Sequence, residues 1–383
     1  MRRTPVGLFA LALASFALGL AEFVIAGLLP DVADDLSVSE GSVGILVTAY
    51  AAGIIVGALA LTIALSRIPP KSALVWLGVV FAVGNLLCAV GPDFAVVLVG
   101  RILAGATNGA FLGTGIVVAV SLVDARSQGR AIAVMLGGLT SANVLGVPLG
   151  TVLGQHFGWR VVFGVIVAIA VVATLAILAV VPHVASAPTS SLADLRHLLN
   201  RQALLSMGVA TLGFGGMFGA FTYVALTLTK VSGYSEGAVP WLLVLFGVGL
   251  VVGNVLGGRW VDRALDATVM LALAGLLAVQ IIFGLLAGHP VVAGIALGLM
   301  GMFGFAAAPG YQHRVMRHAH AAGAIASGAP IAAVNLGNAL GAWLGGLLIT
   351  SGLGYTSPVW MGAVATVLAL SLLAVAVRSA RSR

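Results

Sequence analysis

Twelve apolar stretches, each of roughly 20 residues or more, divide almost the whole chain between short polar gaps, and that length is what a helix needs to cross a bilayer. They lie near 6–30, 43–65, 72–90, 94–122, 131–153, 161–181, 203–228, 239–261, 268–287, 290–311, 321–349 and 357–377. With 61% hydrophobic and 8% charged residues the chain cannot clothe a water-soluble globule. Lipid is its solvent. Backbone groups in lipid must be satisfied within each segment, so the expected fold class is an all-α polytopic membrane protein with twelve transmembrane helices.

Basic residues give the orientation, because Lys and Arg in short loops stay cytoplasmic during insertion. Of the 18 Lys and Arg residues, all but Arg101, Arg160 and Lys230 fall on one side. These are Arg2 and Arg3, Arg67 and Lys71, Arg126 and Arg130, Arg196 and Arg201, Arg259 and Arg263, Arg314 and Arg317, and the tail Arg378, Arg381 and Arg383. Both termini are expected in the cytoplasm of a cell whose plasma membrane the chain crosses. The first opposite loop carries Asp31, Asp34, Asp35 and Glu40. Topology therefore accounts for the net charge of +7, and with no basic patch or interleaved aromatics no nucleic-acid partner is expected. The lone Cys88 excludes an intrachain disulfide. The first stretch is too long for a signal peptide and lacks a small-residue cleavage pattern.

The longest polar gap, around 183–202, divides the chain into an N-terminal six-helix bundle (1–182) and a C-terminal one (203–383). A shift of 196 residues superposes Gly53, Gly57 and Arg67 on Gly249, Gly253 and Arg263; a shift of 195 superposes Gly146 and Gly150 on Gly341 and Gly345. Parallel six-span repeats are one recognised architecture of secondary transporters, with the substrate site between the halves. Small residues four apart recur in spans two, five, eight and eleven, where helices approach closely. Gly146, Pro148, Gly150 and Gly154 are expected to form a face that rocks against the other half; static helix packing is the alternative.

Glu22 and Arg101 are ionisable residues inside apolar spans, where a charge costs on the order of 2.5 to 3.5 kcal/mol. Glu22 lies eight residues before Pro30 and Arg101 eight after Asp93, which places each about 12 Å inside the outer end of its helix. Ser15 and Glu22 share a face of the first span, and Arg101 and Asn108 one of the fourth. Proximity to Arg101 would bear on whether Glu22 holds a proton. The competing reading is a permanent ion pair that only locks two helices.

In the seventh span the 196 shift puts Phe218 opposite Glu22, with Phe214, Phe221 and Tyr223 close by, and the tenth holds Met302. Facing a cavity, these would suit a neutral amphipathic compound; otherwise they are packing. Asn85, Asn143, Asn254, Asn335 and Asn338 are expected to hydrogen-bond between helices. His313, His318 and His320 have no acidic or Cys neighbour, so a solvated loop is expected there, with no metal and no cofactor.

These residues resemble the major facilitator superfamily, and within it the twelve-span drug/proton antiporters that include chloramphenicol and arabinose efflux proteins. Ala21-Glu22-Phe23-Val24 with Gly27-Leu28-Leu29-Pro30 is similar to that branch's first span. Arg101 with Gly105 resembles the fourth-span arginine motif associated with proton transfer. The run from Gly138 through Asn143, Gly146 and Pro148 to Gly150 resembles the fifth-span motif of exporters. Gly258-Arg259-Trp260-Val261-Asp262-Arg263 fits a loop motif used as a conformational latch, making Asp262 and Arg263 interface candidates; the first-half counterpart has Thr62, Ser66, Pro69 and Pro70 instead. The resemblance implies two pseudo-symmetric six-helix bundles, no enzymatic activity, and a monomer that exchanges protons for an expelled small molecule. Glu22 and Arg101 would carry the proton coupling. Efflux of a sugar or other metabolite is the second reading, and a non-transporting membrane sensor a third.

Overall fold

A computed structural model describes residues 6–183, 200–319 and 325–381. Most of the expected linker (184–199), Arg2, Arg3, Arg196, His320 and Arg383 lie outside the described residues. The described chain is helical throughout: α1 (Val6–Phe23), α2 (Ile25–Asp35), α3 (Glu40–Leu65), α4 (Pro70–Val90), α5 (Phe94–Ser121), α6 (Ala125–Phe157), α7 (Trp159–Val180), α8 (Arg201–Thr222), α9 (Val239–Leu286), α10 (Pro290–Ala319), α11 (Ile325–Thr350) and α12 (Ser357–Arg381). Among the described residues eleven helices, all but α2, contain a stretch long and apolar enough to span a membrane.

Several helices start where a short polar side chain can take up an orphan amide. Ser39, Asp93 and Asn200 accept from the amides of Ser42, Val96 and Ala203, fixing the first turns of α3, α5 and α8. Others are interrupted inside the apolar stretch. The first span stops at Val24, where the Gly27 amide donates to the Val24 carbonyl one residue short of α-helical reach, and resumes as α2 with Pro30 inside it. The seventh breaks at Tyr223 (φ −106°, ψ 15°). Wider π-turns occupy Gly57–Leu61, Ala142–Gly146 and Thr227–Val231. The second of these directly precedes Pro148, which has no amide proton for the Val144 carbonyl.

Two expected loops are helix instead. α9 is 48 residues long, about 72 Å at 1.5 Å per residue and more than twice the hydrocarbon thickness, and it turns at Ala264 (φ −153°, ψ 73°). No Gly or Pro lies in 259–267, so nothing else stops the helix. α10 likewise continues past Tyr311 to Ala319. His313 and Arg317 are exposed there, but Arg314 is buried and forms an ion pair with Asp266. The expected solvated loop is a packed helix end.

Close approaches follow the internal repeat. Gly57 faces the Ala106 carbonyl and Gly253 the Met302 carbonyl; Gly105 faces the Tyr50 carbonyl and Gly301 that of Phe246. In both cases the second pair lies 196 residues after the first, and a β-carbon would collide with backbone. α3 thus seats on α5 as α9 seats on α10.

This corrects the expectation for the fifth span. Gly146, Gly150 and Gly154 receive Phe16, Leu20, Val24 and Leu28 of α1 and α2, within the N-terminal set of helices. Gly337 and Gly341 likewise pack on Thr211, Gly215 and Gly219 of α8. Small-residue faces give the closest backbone contact, and here they join helices of one set. Contacts between the two sets run chiefly through α3 with α11 and α6 with α9, and also through α2 with residues 224–226 and with α8 and α9. The asparagines also differ from expectation: Asn85, Asn143 and Asn335 each donate to the carbonyl four residues back in their own helix.

Candidate functional site

Glu22 is the penultimate residue of α1, two residues before the chain breaks at Val24. The last carbonyls of a helix lack amide partners and attract cations. Arg101, fully buried on α5, supplies one: its NH1 donates to the Ala21 carbonyl at 2.6 Å and its Nε to the Leu46 carbonyl of α3 at 3.3 Å. Its guanidinium lies 4.0 Å from the centroid of the Tyr50 ring, a cation–π contact in a dry setting. One guanidinium so joins α1, α3 and α5.

The carboxyl itself is met by an amide. Asn108, two turns along α5 from Arg101, donates from Nδ2 to Glu22 Oε2 at 3.2 Å and to the Tyr50 hydroxyl at 3.1 Å. Tyr50 donates in turn to the Leu18 carbonyl at 3.3 Å. Among the described residues Glu22 and Arg101 form no direct ion pair. The common depth inferred from the sequence brings the two into one network, through backbone and Asn108 in place of a salt bridge. Ser15, Arg101 NH2 and Asn108 Oδ1 are buried polar groups without a partner. Buried polar groups of this kind are uncommon and cluster here around the carboxyl.

Next to the carboxyl the two helix sets meet through aromatic rings. Phe23 stands edge-on to Phe218 (centroids 5.6 Å apart) and to Phe221 (6.1 Å). Phe221 stacks on Phe246 at 4.2 Å, Phe246 meets Phe305, and Phe305 meets Phe214. Phe214, Phe218 and Phe221 are buried, and Phe218 also lies 6.1 Å from Phe221 between centroids. Met302 presents its backbone to Gly249 and Gly253. Tyr223 is also buried, its hydroxyl donating to the Ala342 carbonyl of α11 and lying against Gly44 of α3. Phe246 and Tyr50 were not singled out from the sequence, and Phe23 only as part of the first-span motif, since their significance arises only where helices distant in the chain meet.

The π-turn of the fifth span lies at such a meeting, with the Asn143 carbonyl and Val144 against Gly247 of α9. Thr48 donates to the Ala339 carbonyl at 3.2 Å, Gly41 lies against Gly346, and Gln155 donates to the Glu236 carbonyl at 2.9 Å. At this end Asp31 carries a carboxyl raised above its ordinary value, chiefly by burial and further by the carboxylate of Glu236. Asp35 accepts from Trp159 and forms an ion pair with Arg160. At the opposite end Asp262 and Arg263 are exposed beside the Ala264 bend. With His313 and Arg317 they line an open cavity of about 610 Å³.

These observations define a polytopic α-helical membrane protein with an ionisable carboxyl held among its helices. Residues 11–329 match the family model of the Major Facilitator Superfamily. The inner membrane transport protein YdhP of Escherichia coli (strain K12) is 39% identical over 377 residues, covering 97% of this chain and 96% of that protein. The chloramphenicol resistance protein of Streptomyces lividans is 34% identical over 374 residues, covering 96% and 95%. A solved bacterial homolog of the human lysosomal transporter Spinster, inward-facing and unoccupied, has the same fold at a TM-score of 0.68 and 16% identity, covering 97% of this chain and 94% of that one. The chain belongs to the Major Facilitator Superfamily. It is a multi-pass membrane transport protein.

Proposed function

We propose that this protein is a proton-coupled exporter of the cytoplasmic membrane that expels a small amphipathic compound, a drug such as chloramphenicol, by alternating access. Its twelve spans, two of them supplied by α9, form two six-helix halves with both termini in the cytoplasm. Glu22 carries the proton, and Arg101 holds the carboxyl's end of α1 in place.

The observation that carries this reading is the state of the Glu22 carboxyl, partly buried where the halves meet and tied by one neutral amide. A carboxylate clamped by a guanidinium would hold its charge and serve as a lock. One that faces a single amide is free to exchange a proton as its surroundings change. The neighbouring rings favour an amphipathic substrate over a sugar, because rings offer apolar area and few directed hydrogen bonds. The resistance protein of Streptomyces lividans supports a drug as the cargo. Each proton charge moving inward contributes roughly 2.3 kcal/mol per 100 mV of membrane potential, enough to drive accumulation when one proton is exchanged per substrate.

Everted membrane vesicles test the proposal with chloramphenicol as substrate. Wild-type vesicles should take it up while a proton gradient is maintained and lose that uptake when the gradient is collapsed. Glu22→Gln should abolish gradient-driven uptake at an unchanged protein level. Gradient-dependent uptake that persists in Glu22→Gln removes the carboxyl from the mechanism.

A further inference from the structure

We propose that Tyr50 is a positioning residue that determines, through Asn108, which face of an amide the Glu22 carboxyl meets. The proposal rests on the reading of Glu22 as the proton carrier. Its basis is the polarity of a chain of hydrogen bonds crossing three helices. A tyrosine hydroxyl has one proton, and the Leu18 carbonyl, an acceptor only, receives it. The same hydroxyl must therefore accept from Asn108, which can approach it only with its NH2 group. The second hydrogen of that NH2 then points at Glu22 Oε2. A backbone carbonyl of the first span so decides, two side chains away, that the carboxyl faces a donor.

The consequence concerns both forms of Glu22. A carboxylate is well served by an N–H donor, whereas a protonated carboxyl needs an acceptor. The acceptor exists: Asn108 Oδ1 is buried and unpartnered. Bringing it to Glu22 requires the amide to flip, and Oδ1 then meets the Tyr50 hydroxyl. Tyr50 must turn its proton away from Leu18 toward Oδ1, releasing the tie between α3 and α1. Proton uptake at Glu22 and the loosening of the first span from the second are thereby one event.

The ring is held for this task. Its face lies under the Arg101 guanidinium, and its backbone carbonyl lies against Gly105, where no β-carbon fits. The other groups that bear on Glu22 are few. Arg101 faces it from α5, and Cys88 of α4 faces Arg101. α6 presents Leu139 and Ala142 to this turn of α1, and α8 presents Phe218 and Phe221.

Infrared titration of the full-length protein in liposomes reads this directly, with the carboxyl carbonyl band assigned by its loss in Glu22→Gln. Tyr50→Phe keeps the ring under Arg101 and removes the hydroxyl, freeing the amide to offer Oδ1. The band should then titrate about one pH unit higher, a tenfold gain in proton affinity. Asn108→Leu should shift the midpoint too, and Tyr50→Phe should add nothing to it. A wild-type midpoint in Tyr50→Phe, or full additivity with Asn108→Leu, overturns the proposal. In the unmodified protein a tyrosine C–O band should shift with the same midpoint as the carboxyl; a tyrosine band indifferent to that titration overturns it without any variant. A carboxyl band that survives in Glu22→Gln instead refutes the assignment of Glu22 and leaves the proton-carrier reading as the one that failed.

Discussion

Arg101 and Glu22 were legible in the sequence because a charge in an apolar stretch is too costly to be idle, and their equal distances from the helix ends foretold a shared depth. The indirect way they are joined was not legible. It depends on the break at Val24, which leaves the Ala21 carbonyl for Arg101 and the carboxyl for Asn108. Tyr50 stayed hidden because a tyrosine in an apolar run reads as packing until three helices converge on it. Asp31 is the residue-scale handle on pH. Its carboxyl, raised mainly by burial and also by Glu236, binds a proton more tightly in the folded protein than its ordinary value of 3.8 allows. Its contribution to stability is thus complete below that value and is lost as pH climbs through the raised one. Asp31→Asn should raise Tm at neutral pH and flatten the decline in Tm from acid to neutral. An unchanged Tm profile would show that Asp31 does not set this trend.

Elements were read well where periodicity alone decides and poorly where a partner decides. The 196-residue repeat of glycines was visible, but not that Gly57 and Gly253 each serve a helix of their own set. The tenth span was expected to end near Tyr311, yet α10 runs on to Ala319, and the turns it gains bury Arg314 against Asp266. Gly253→Ala sets a methyl against the Met302 carbonyl and should cost about 1–3 kcal/mol, or more if α9 is forced off α10. Gly258, one turn on, has open space around it, and Gly258→Ala should be neutral or stabilising by up to ~1 kcal/mol through helix propensity. Thermal unfolding in detergent compares the two. Equal effects would mean that the close approach at Gly253 contributes nothing.

At the scale of the molecule the two sets of helices touch chiefly through α3 with α11 and α6 with α9, with smaller contacts from α1 and α2 to the seventh span. Thr48 and Ala339 form one such contact, at 3.2 Å from hydroxyl to carbonyl. Thr48→Cys with Ala339→Cys should cross-link on oxidation, Cys88 being buried and out of reach, and the linked protein should stop transporting until reduced. Full transport by the linked form would mean that this contact never opens. The bend at Ala264 has its own consequence for such motion. A single residue out of helical conformation joins the two long arms, so no loop separates the eighth span from the ninth. In the proposed alternating access they would work as a crank: a swing that carries Gly247 off Val144 would reach the far arm through the joint at Ala264, where a stiffer or looser hinge would change the turnover of the whole machine.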